Sequence, residues 1–211
     1  MDAELVDYYR RRAGEYEAIY AKPERQDDLA RLRLLIPERL QGRHVLEVAC
    51  GTGYWTVPIA AAARSVVATD YAEEPMEIAR AKTYEKDNVR FERADAYALD
   101  AGLGRFDAAF CGFWWSHVPR KRIAEFLASL HARLAPGARV LLLDNTFAAG
   151  SSTPIAGIDA NGDTFQLRTL ADGSQVRVMK NFPSEEELRA HLGTFSYRAL
   201  QYYWLAEYDL K

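Results

Sequence analysis

Glu47, Asp70, Asp95 and His117 are the side chains whose types and positions can carry chemistry, and a glycine-bearing loop follows the first of them. Val45, Leu46 and Val48 form the short apolar run expected of a buried parallel strand; Glu47 interrupts it, and Gly51 and Gly53 follow where a helix must start. A strand ending in glycine turns lets a ligand approach the backbone closely, facing the amides of the next helix. Thr56 stands where a dinucleotide fingerprint needs its third small residue, and the Gly-Lys-Ser/Thr of a phosphate loop is missing. The loop has no lysine or arginine to neutralise phosphate, and Glu47 lies two positions before Ala49. It suits a ligand with a cationic ammonium and neutral hydroxyls better than a pyrophosphate.

The elements that must position these groups follow in order. A helix from Thr56 to Ala63 tolerates Pro58 only near its first turn, and the strand Val66–Thr69 then ends at Asp70. This βαβ crossover puts Asp70 at a carboxyl end of the sheet, where an acid can accept two hydrogen bonds from a ribose diol. The third strand, Val89–Arg93, leads to Asp95. The fourth, Ala108–Cys111, leads to Gly112-Phe113-Trp114-Trp115-Ser116-His117. Three bulky aromatics in succession cannot all face one core, so at least one should line a cavity. His117, with an unperturbed pKa near 6.5, is either a general base for a hydroxyl acceptor or a structural residue. A helix over Arg120–Leu134, ended by Pro136-Gly137, precedes the fifth strand, Val140–Leu143.

Around this core the spacing predicts an amphipathic helix over residues 2 to 20, rich in tyrosines, and a second over Glu24–Leu40. Helices there can fold over the ligand mouth of the sheet. Asp144 to Asp163 has no periodicity and reads as a lid or binding loop. Thr164–Leu170 and Ser174–Phe182 alternate on both sides of Asp172-Gly173, a strong hairpin signal. Arg168 and Lys180 lie on its two arms, at a spacing that allows them to face each other and hold an anion; the alternative is a solvated hairpin face. Ser184 to Glu187 is a capping box opening a helix to about Leu192, and Tyr197–Tyr208 closes the chain as one long strand.

With 211 residues, 49% of them hydrophobic, and a net charge of -3, the chain can build an α/β core but offers no basic stripe for nucleic acid. Arg10-Arg11-Arg12, followed by Glu15 and Glu17, reads as the solvated side of a helix. No apolar run reaches the ~18 to 20 residues of a membrane span, and the N-terminal residues are no signal peptide, so a cytoplasmic location is expected. Cys50 and Cys111 lack the spaced partners of a zinc site; both are expected to be reduced, on neighbouring strands.

Leu46-Glu47-Val48-Ala49-Cys50-Gly51-Thr52-Gly53 resembles motif I of the class I S-adenosylmethionine-dependent methyltransferases, apolar-[DE]-x-[GAS]-x-G-x-G. Asp70 to Ala79 resembles the D-x-S-x-x-M-L-x-x-A of that family, departing at Ala72, Pro75 and Met76. Asp95, Phe106-Asp107 and Leu134-Ala135-Pro136-Gly137 occur in family order, so the resemblance covers residues 44 to 143. Tyr8-Tyr9, Arg12-Ala13 with Glu15-Tyr16, Tyr54-Trp55, Trp114 with His117-Val118-Pro119, Arg168-Thr169-Leu170 and Lys180 are similar to small bacterial O-methyltransferases, among them the phosphonate methyltransferase of dehydrophos biosynthesis.

The resemblance implies a doubly wound α/β fold, with a mostly parallel sheet of about seven strands, the last antiparallel, under an N-terminal helical cover. It implies one methyltransferase domain over residues 1–211: cover 1–40, cofactor-binding core 43–143, and lid loop, hairpin and last strand over 144–211. S-adenosylmethionine is the implied cofactor and a small molecule the implied acceptor, methylated on a phosphonate, carboxylate or hydroxyl oxygen. Glu47, Ala49, Gly51, Gly53 and Trp55 would hold the methionine part, Asp70 and Tyr71 the ribose, and Asp95 with the amide of Ala96 the adenine. Cys111 belongs to the same cofactor set, and Tyr9 and Tyr16 would close over the donor. Trp114, His117, Arg168 and Lys180 would face the acceptor. A nicotinamide-dependent oxidoreductase would need Gly or Ala at position 56 and a Tyr-x-x-x-Lys pair, and neither is present. A silent binding module that keeps the cofactor pocket is a further alternative. Methylation of nucleic acid lacks both an Asn/Asp-Pro-Pro-Tyr/Phe motif and a basic surface.

Overall fold

A computed structural model describes residue 8, residues 10–170 and residues 172–211. Its main sheet has seven strands in the order β3-β2-β1-β4-β5-β10-β9. These are β1 (His44–Val48), β2 (Ser65–Asp70), β3 (Val89–Arg93), β4 (Phe106–Gly112), β5 (Leu134–Asn145), β9 (Ser196–Ala199) and β10 (Tyr203–Asp209). The first five are mutually parallel, while β10 runs antiparallel to both β5 and β9. Between Ile158 and Glu185, β7 (Thr164–Thr169) and β8 (Gln175–Met179) form the expected hairpin, and β6 (Gly157–Ile158) pairs with β7 to complete a second, three-stranded sheet.

The period-2 geometry of a strand sends successive residues to opposite faces, and here both faces are buried. Val140 and Leu142 of β5 join one core, with Ala109, Trp204 and Ala206; Leu141 and Leu143 join the other, with Val45, Phe110 and Leu205. Helices close each face. Leu29, Leu32 and Ile36 from α1 (Gln26–Arg39) and Ile59 from α2 (Thr56–Ala62) cover the second core. After α3 (Glu73–Arg80), α4 (Ile123–His131) and α5 (Glu185–Leu192) supply Phe126, Leu127, Leu130 and Leu188 to the first. Each fully buried Leu contributes about 1.5–3 kcal/mol. The capping box of α5 is formed in both directions: the Glu187 amide donates to Ser184 Oγ at 3.1 Å and the Ser184 amide donates to Glu187 Oε2 at 2.8 Å.

Four sequence expectations change. The predicted first helix is a 3-10 run over Ala13–Ala21 in its described second half. The helix predicted over Arg120–Leu134 stops at His131, and Leu134 already pairs with Phe106 in the sheet. Pro136-Gly137 sits inside β5, where the register shifts between Phe106 and Ala108, so it forms a bulge and not a helix stop. The single C-terminal strand is two, folded back at 200–202 with the Leu200 amide donating to the Tyr203 carbonyl at 2.9 Å. No Gly, Pro, Asn or Asp marks that turn, which is why alternation ran through it.

Candidate active site

At the carboxyl end of β1 the chain turns through Ala49, Gly51 and Gly53, all left-handed, with φ of 57°, 56° and 76°. At Gly53 a Cβ would lie 2.8 Å from the Ala79 Cβ, so glycine is what lets the loop pack on α3. Asp70 ties the loop to β2: its Oδ2 accepts from the Gly51 amide and its Oδ1 from the Ala72 amide, both at 2.9 Å. Desolvation raises its pKa, and these amides pull it back. The N-terminal turn clamps the loop from outside, with Thr52 Oγ1 donating to Glu17 Oε1 at 2.7 Å and Lys82 ion-paired with the same carboxylate. Tyr20 stacks on Tyr54, ring centroids 3.7 Å apart.

Inside the loop lies a small cavity of about 30 Å³, whose walls include Glu47, Ala49, Gly51, Trp55, Gly112 and Tyr20. Glu47 is 2% exposed, and neither its Oε2 nor the buried Nε1 of Trp55 has a hydrogen-bond partner among the described residues. Burial pushes the Glu47 carboxyl up to about 8; the Thr56 hydroxyl and Lys82 pull against this, and Asp70 adds to it. A buried orphan acceptor with no cation on the cavity wall fits an ammonium and does not fit a phosphate.

A second cavity of about 390 Å³ adjoins it, with Tyr20 in the wall of both. Among the described residues Arg12, Lys22, Arg25, Arg168 and Lys180 line it, and no Asp or Glu does. Lys180 is buried, with Nζ donating to Ser116 Oγ at 2.6 Å and to Asp144 Oδ1 at 3.0 Å. Burial lowers its pKa and Asp144 raises it, while Arg168 and Arg25 lower it further. His117 lies in the same wall, its Nδ1 at 2.7 Å from the Met179 carbonyl. A carbonyl only accepts, so Nδ1 carries the proton and the neutral ring keeps its acceptor at Nε2. Burial, with Lys180 and Arg168 behind it, holds the imidazole pKa well below its usual value.

Several sequence-derived sites move. Arg168 and Lys180 do not face each other across the ladder. Arg168 pairs with Val176, while the Lys180 amide donates to the Thr164 carbonyl at 2.9 Å, four residues upstream of Arg168. They share one face of the hairpin and one cavity. Trp114 packs edge-on against Phe126 and Tyr97 in the core; Phe113, left-handed at φ 59°, is the aromatic that reaches the cavity. Of the arginine run, Arg10 and Arg11 are exposed on a helical stretch as expected, Arg11 ion-paired with Asp172, whereas Arg12 lines the large cavity. Asp95 Oδ1 accepts from the Tyr97 amide at 3.0 Å, capping its own turn, with Ala96 buried beside it. Tyr71 lies under the Arg93 guanidinium. Cys111 is buried on β4 with its thiol pKa pushed up by burial, and both cysteines are free. Tyr9 and the side chain of Tyr16 lie outside the described residues.

Lys22, Arg25, Tyr20 and Asp144 were missed by sequence reasoning. Asp144 follows an apolar strand directly and was findable as a strand-end acid; Arg25 sits in a helical stretch rich in arginine and had no local signal.

Residues 45–137 match a family model described as a methyltransferase domain. Over nearly its whole length the chain is similar to DhpI, solved as a complex with SAH: 31% identity, TM-score 0.76, covering 97% of this chain and 94% of that one. The chain belongs to the class I S-adenosylmethionine-dependent methyltransferases. A second DhpI structure, its SAM-HEP complex, aligns at 30% identity and TM-score 0.76, covering 98% of both chains. A demethylmenaquinone methyltransferase of Clavibacter sepedonicus is 30% identical over 149 residues, 70% of this chain and 57% of that protein. The one from Staphylococcus aureus (strain MRSA252) is 32% identical over 109 residues, 50% of this chain and 44% of that protein. The methyltransferase thus spans about half the length of the curated relatives it matches. Among its described residues no helix is long and apolar enough to cross a membrane.

Proposed function

We propose that the protein transfers a methyl group from S-adenosylmethionine to an anionic oxygen of a small molecule, a phosphonate or carboxylate. The carrying observation is the cavity beside the glycine loop, which among the described residues five cationic side chains line and no carboxylate does. The donor supplies an activated methyl on a sulfonium. An anionic oxygen needs no base, only alignment and anchoring. His117 supports this choice over a hydroxyl acceptor: an imidazole with a strongly depressed pKa is a poor base but an adequate hydrogen-bond acceptor at Nε2.

On this reading Glu47 takes the ammonium of the donor. Asp70 takes the ribose diol, since its two amide contacts leave acceptor capacity on both oxygens. Asp95 and the Ala96 amide take the adenine, and Tyr9 and Tyr16 close over the donor. Lys180 and Arg168 anchor the acceptor, with Asp144 and Ser116 fixing Lys180. DhpI has been solved as a SAM-HEP complex, and a second ligand beside SAM agrees with this reading. Residues 1–40 form the cover, 43–143 the donor core and 144–211 the acceptor side of one domain acting in the cytoplasm.

The test is calorimetric titration with S-adenosylmethionine and with NADH, repeated on Asp70→Ala, followed by detection of demethylated donor with a panel of small phosphonates, carboxylates and phenols. Donor binding lost in the variant, and turnover confined to the acids, is the expected outcome. Turnover of neutral phenols alone would sink the anionic acceptor.

A further inference from the structure

The anchors assigned above use only part of the charge in the large cavity. Its other cations come from the N-terminal cover, where Lys22 precedes and Arg25 ends a 3-10 turn over Pro23–Arg25. Arg25 is 7% exposed. Its Nε and Nη2 donate to Ser151 Oγ at 3.1 and 3.0 Å, and its Nη1 donates to Asn145 Oδ1 at 3.1 Å. The guanidinium lies 5.3 and 5.6 Å from the ring centroids of Tyr202 and Tyr203. Lys22 Nζ donates to the Ser151 carbonyl at 2.7 Å.

Every one of these partners is neutral. The acids nearest in sequence make no direct ion pair with it: Glu24 Oε1 accepts at 2.7 Å from the same Ser151 hydroxyl, which with the nearby charges of Lys22 and Arg25 holds its carboxyl low, and Asp28 Oδ2 accepts from the Tyr202 amide at 2.8 Å. Among the described residues no carboxylate forms an ion pair with Arg25. A buried guanidinium is normally matched by an anion; here Nη2 also donates to the Ser151 carbonyl at 3.5 Å, so the contacts to Ser151 and Asn145 leave one N–H, on Nη1, for a further acceptor. Lys180, by contrast, has its counter-ion in Asp144. The two groups of cations sit on different segments, the cover in one case and the hairpin in the other, around one cavity.

We propose that Arg25, assisted by Lys22, is a second anion subsite, so that the acceptor carries two anionic groups. One is the oxyanion that receives the methyl group at Lys180 and Arg168; the other is a carboxylate or phosphonate held at Arg25. This rests on the anionic-acceptor reading and adds a specificity determinant to it. Arg25 suits the task because its guanidinium, already fixed by Ser151 and Asn145, meets an anionic oxygen through its remaining Nη1 N–H with little further loss of freedom.

The experiment uses the full chain saturated with demethylated donor, and titrates methylphosphonate against 3-phosphonopropionate by calorimetry. The expected result is a dissociation constant for the phosphonopropionate lower by roughly tenfold or more. Arg25→Gln is expected to abolish that preference, weakening the doubly charged probe by about tenfold and methylphosphonate by under about threefold, and Arg25→Lys to restore part of it. Equal affinity for the two probes in the unmodified protein overturns the second subsite alone, whatever the variants do. Equal weakening of both probes by Arg25→Gln also overturns it, since a merely structural arginine acts that way. Failure of both probes to bind, with the demethylated donor bound, overturns the anionic-acceptor reading and the subsite with it.

Discussion

Lys180 Nζ lies 3.0 Å from Asp144 Oδ1, the lysine side chain 6% exposed and the aspartate fully buried. The pair joins the carboxyl end of β5 to the hairpin whose residues wall the large cavity. Burial opposes both charges, yet Lys180 holds the Asp144 carboxyl below its usual range. Lys180→Met is therefore expected to strand a buried carboxylate and cost about 3–5 kcal/mol. The double variant Asp144→Leu/Lys180→Met should be less destabilised than the sum of the two single changes. Urea unfolding of the four proteins measures the coupling, and additive costs would show that the pair does not act as a unit.

Glu47 makes donor binding proton-linked. Its carboxyl is raised to about 8, so at pH 7 the empty site holds it mostly protonated. On the proposed reading an ammonium at Oε2 demands the carboxylate, so binding is expected to release a proton. Calorimetry of the demethylated donor at pH 7, in buffers of different ionisation enthalpy, should give a release of close to one proton, and Glu47→Gln should give none. A release unchanged in the variant would place the titrating group elsewhere.

His117 makes stability fall in acid. The unfolded chain takes up the imidazole proton near pH 6.5, whereas the folded ring resists it to well below that pH. Below 6.5 the unfolded state binds more protons, so stability drops by up to about 1.4 kcal/mol per pH unit until the folded pKa is reached. His117→Gln should show a flatter profile between about pH 5 and 6.5 in urea unfolding. Identical profiles would mean the ring titrates normally.

Two neighbours in the glycine loop should both disfavour a methyl group, so that losing one and gaining one have opposite signs. Ala49 holds φ 57°, which costs an L-residue about 1–2 kcal/mol, so Ala49→Gly is expected to stabilise by about 0.5–1 kcal/mol after the entropy of glycine is counted. Gly53→Ala pays the same strain and brings its Cβ 2.8 Å from Ala79, so a loss of about 2–3 kcal/mol is expected. Thermal unfolding reads both signs, and a stabilised Gly53→Ala would contradict the packing on α3.

The sequence by itself determined the parts of this protein that are local. Buried strands announce themselves as apolar runs, the capping box of Ser184 and Glu187 is a four-residue pattern, and Gly51, Gly53 and Asp70 fall at fixed distances from strand ends. The donor half of the site was legible for that reason: one crossover of short range brings Glu47, the loop and Asp70 together. What only the tertiary structure decided was the large cationic cavity. Arg25 meets Ser151 across 126 positions and Asn145 across 120, and Lys180 meets Asp144 across 36. Nothing in the spacing of charged residues marks which of 27 lysines and arginines will be carried into a cavity. Register made the same distinction within the hairpin. Alternation found the strands, but which residues faced each other depended on the turn and on the Thr164–Lys180 contact, and so Arg168 and Lys180 became neighbours in a cavity and not partners across a ladder.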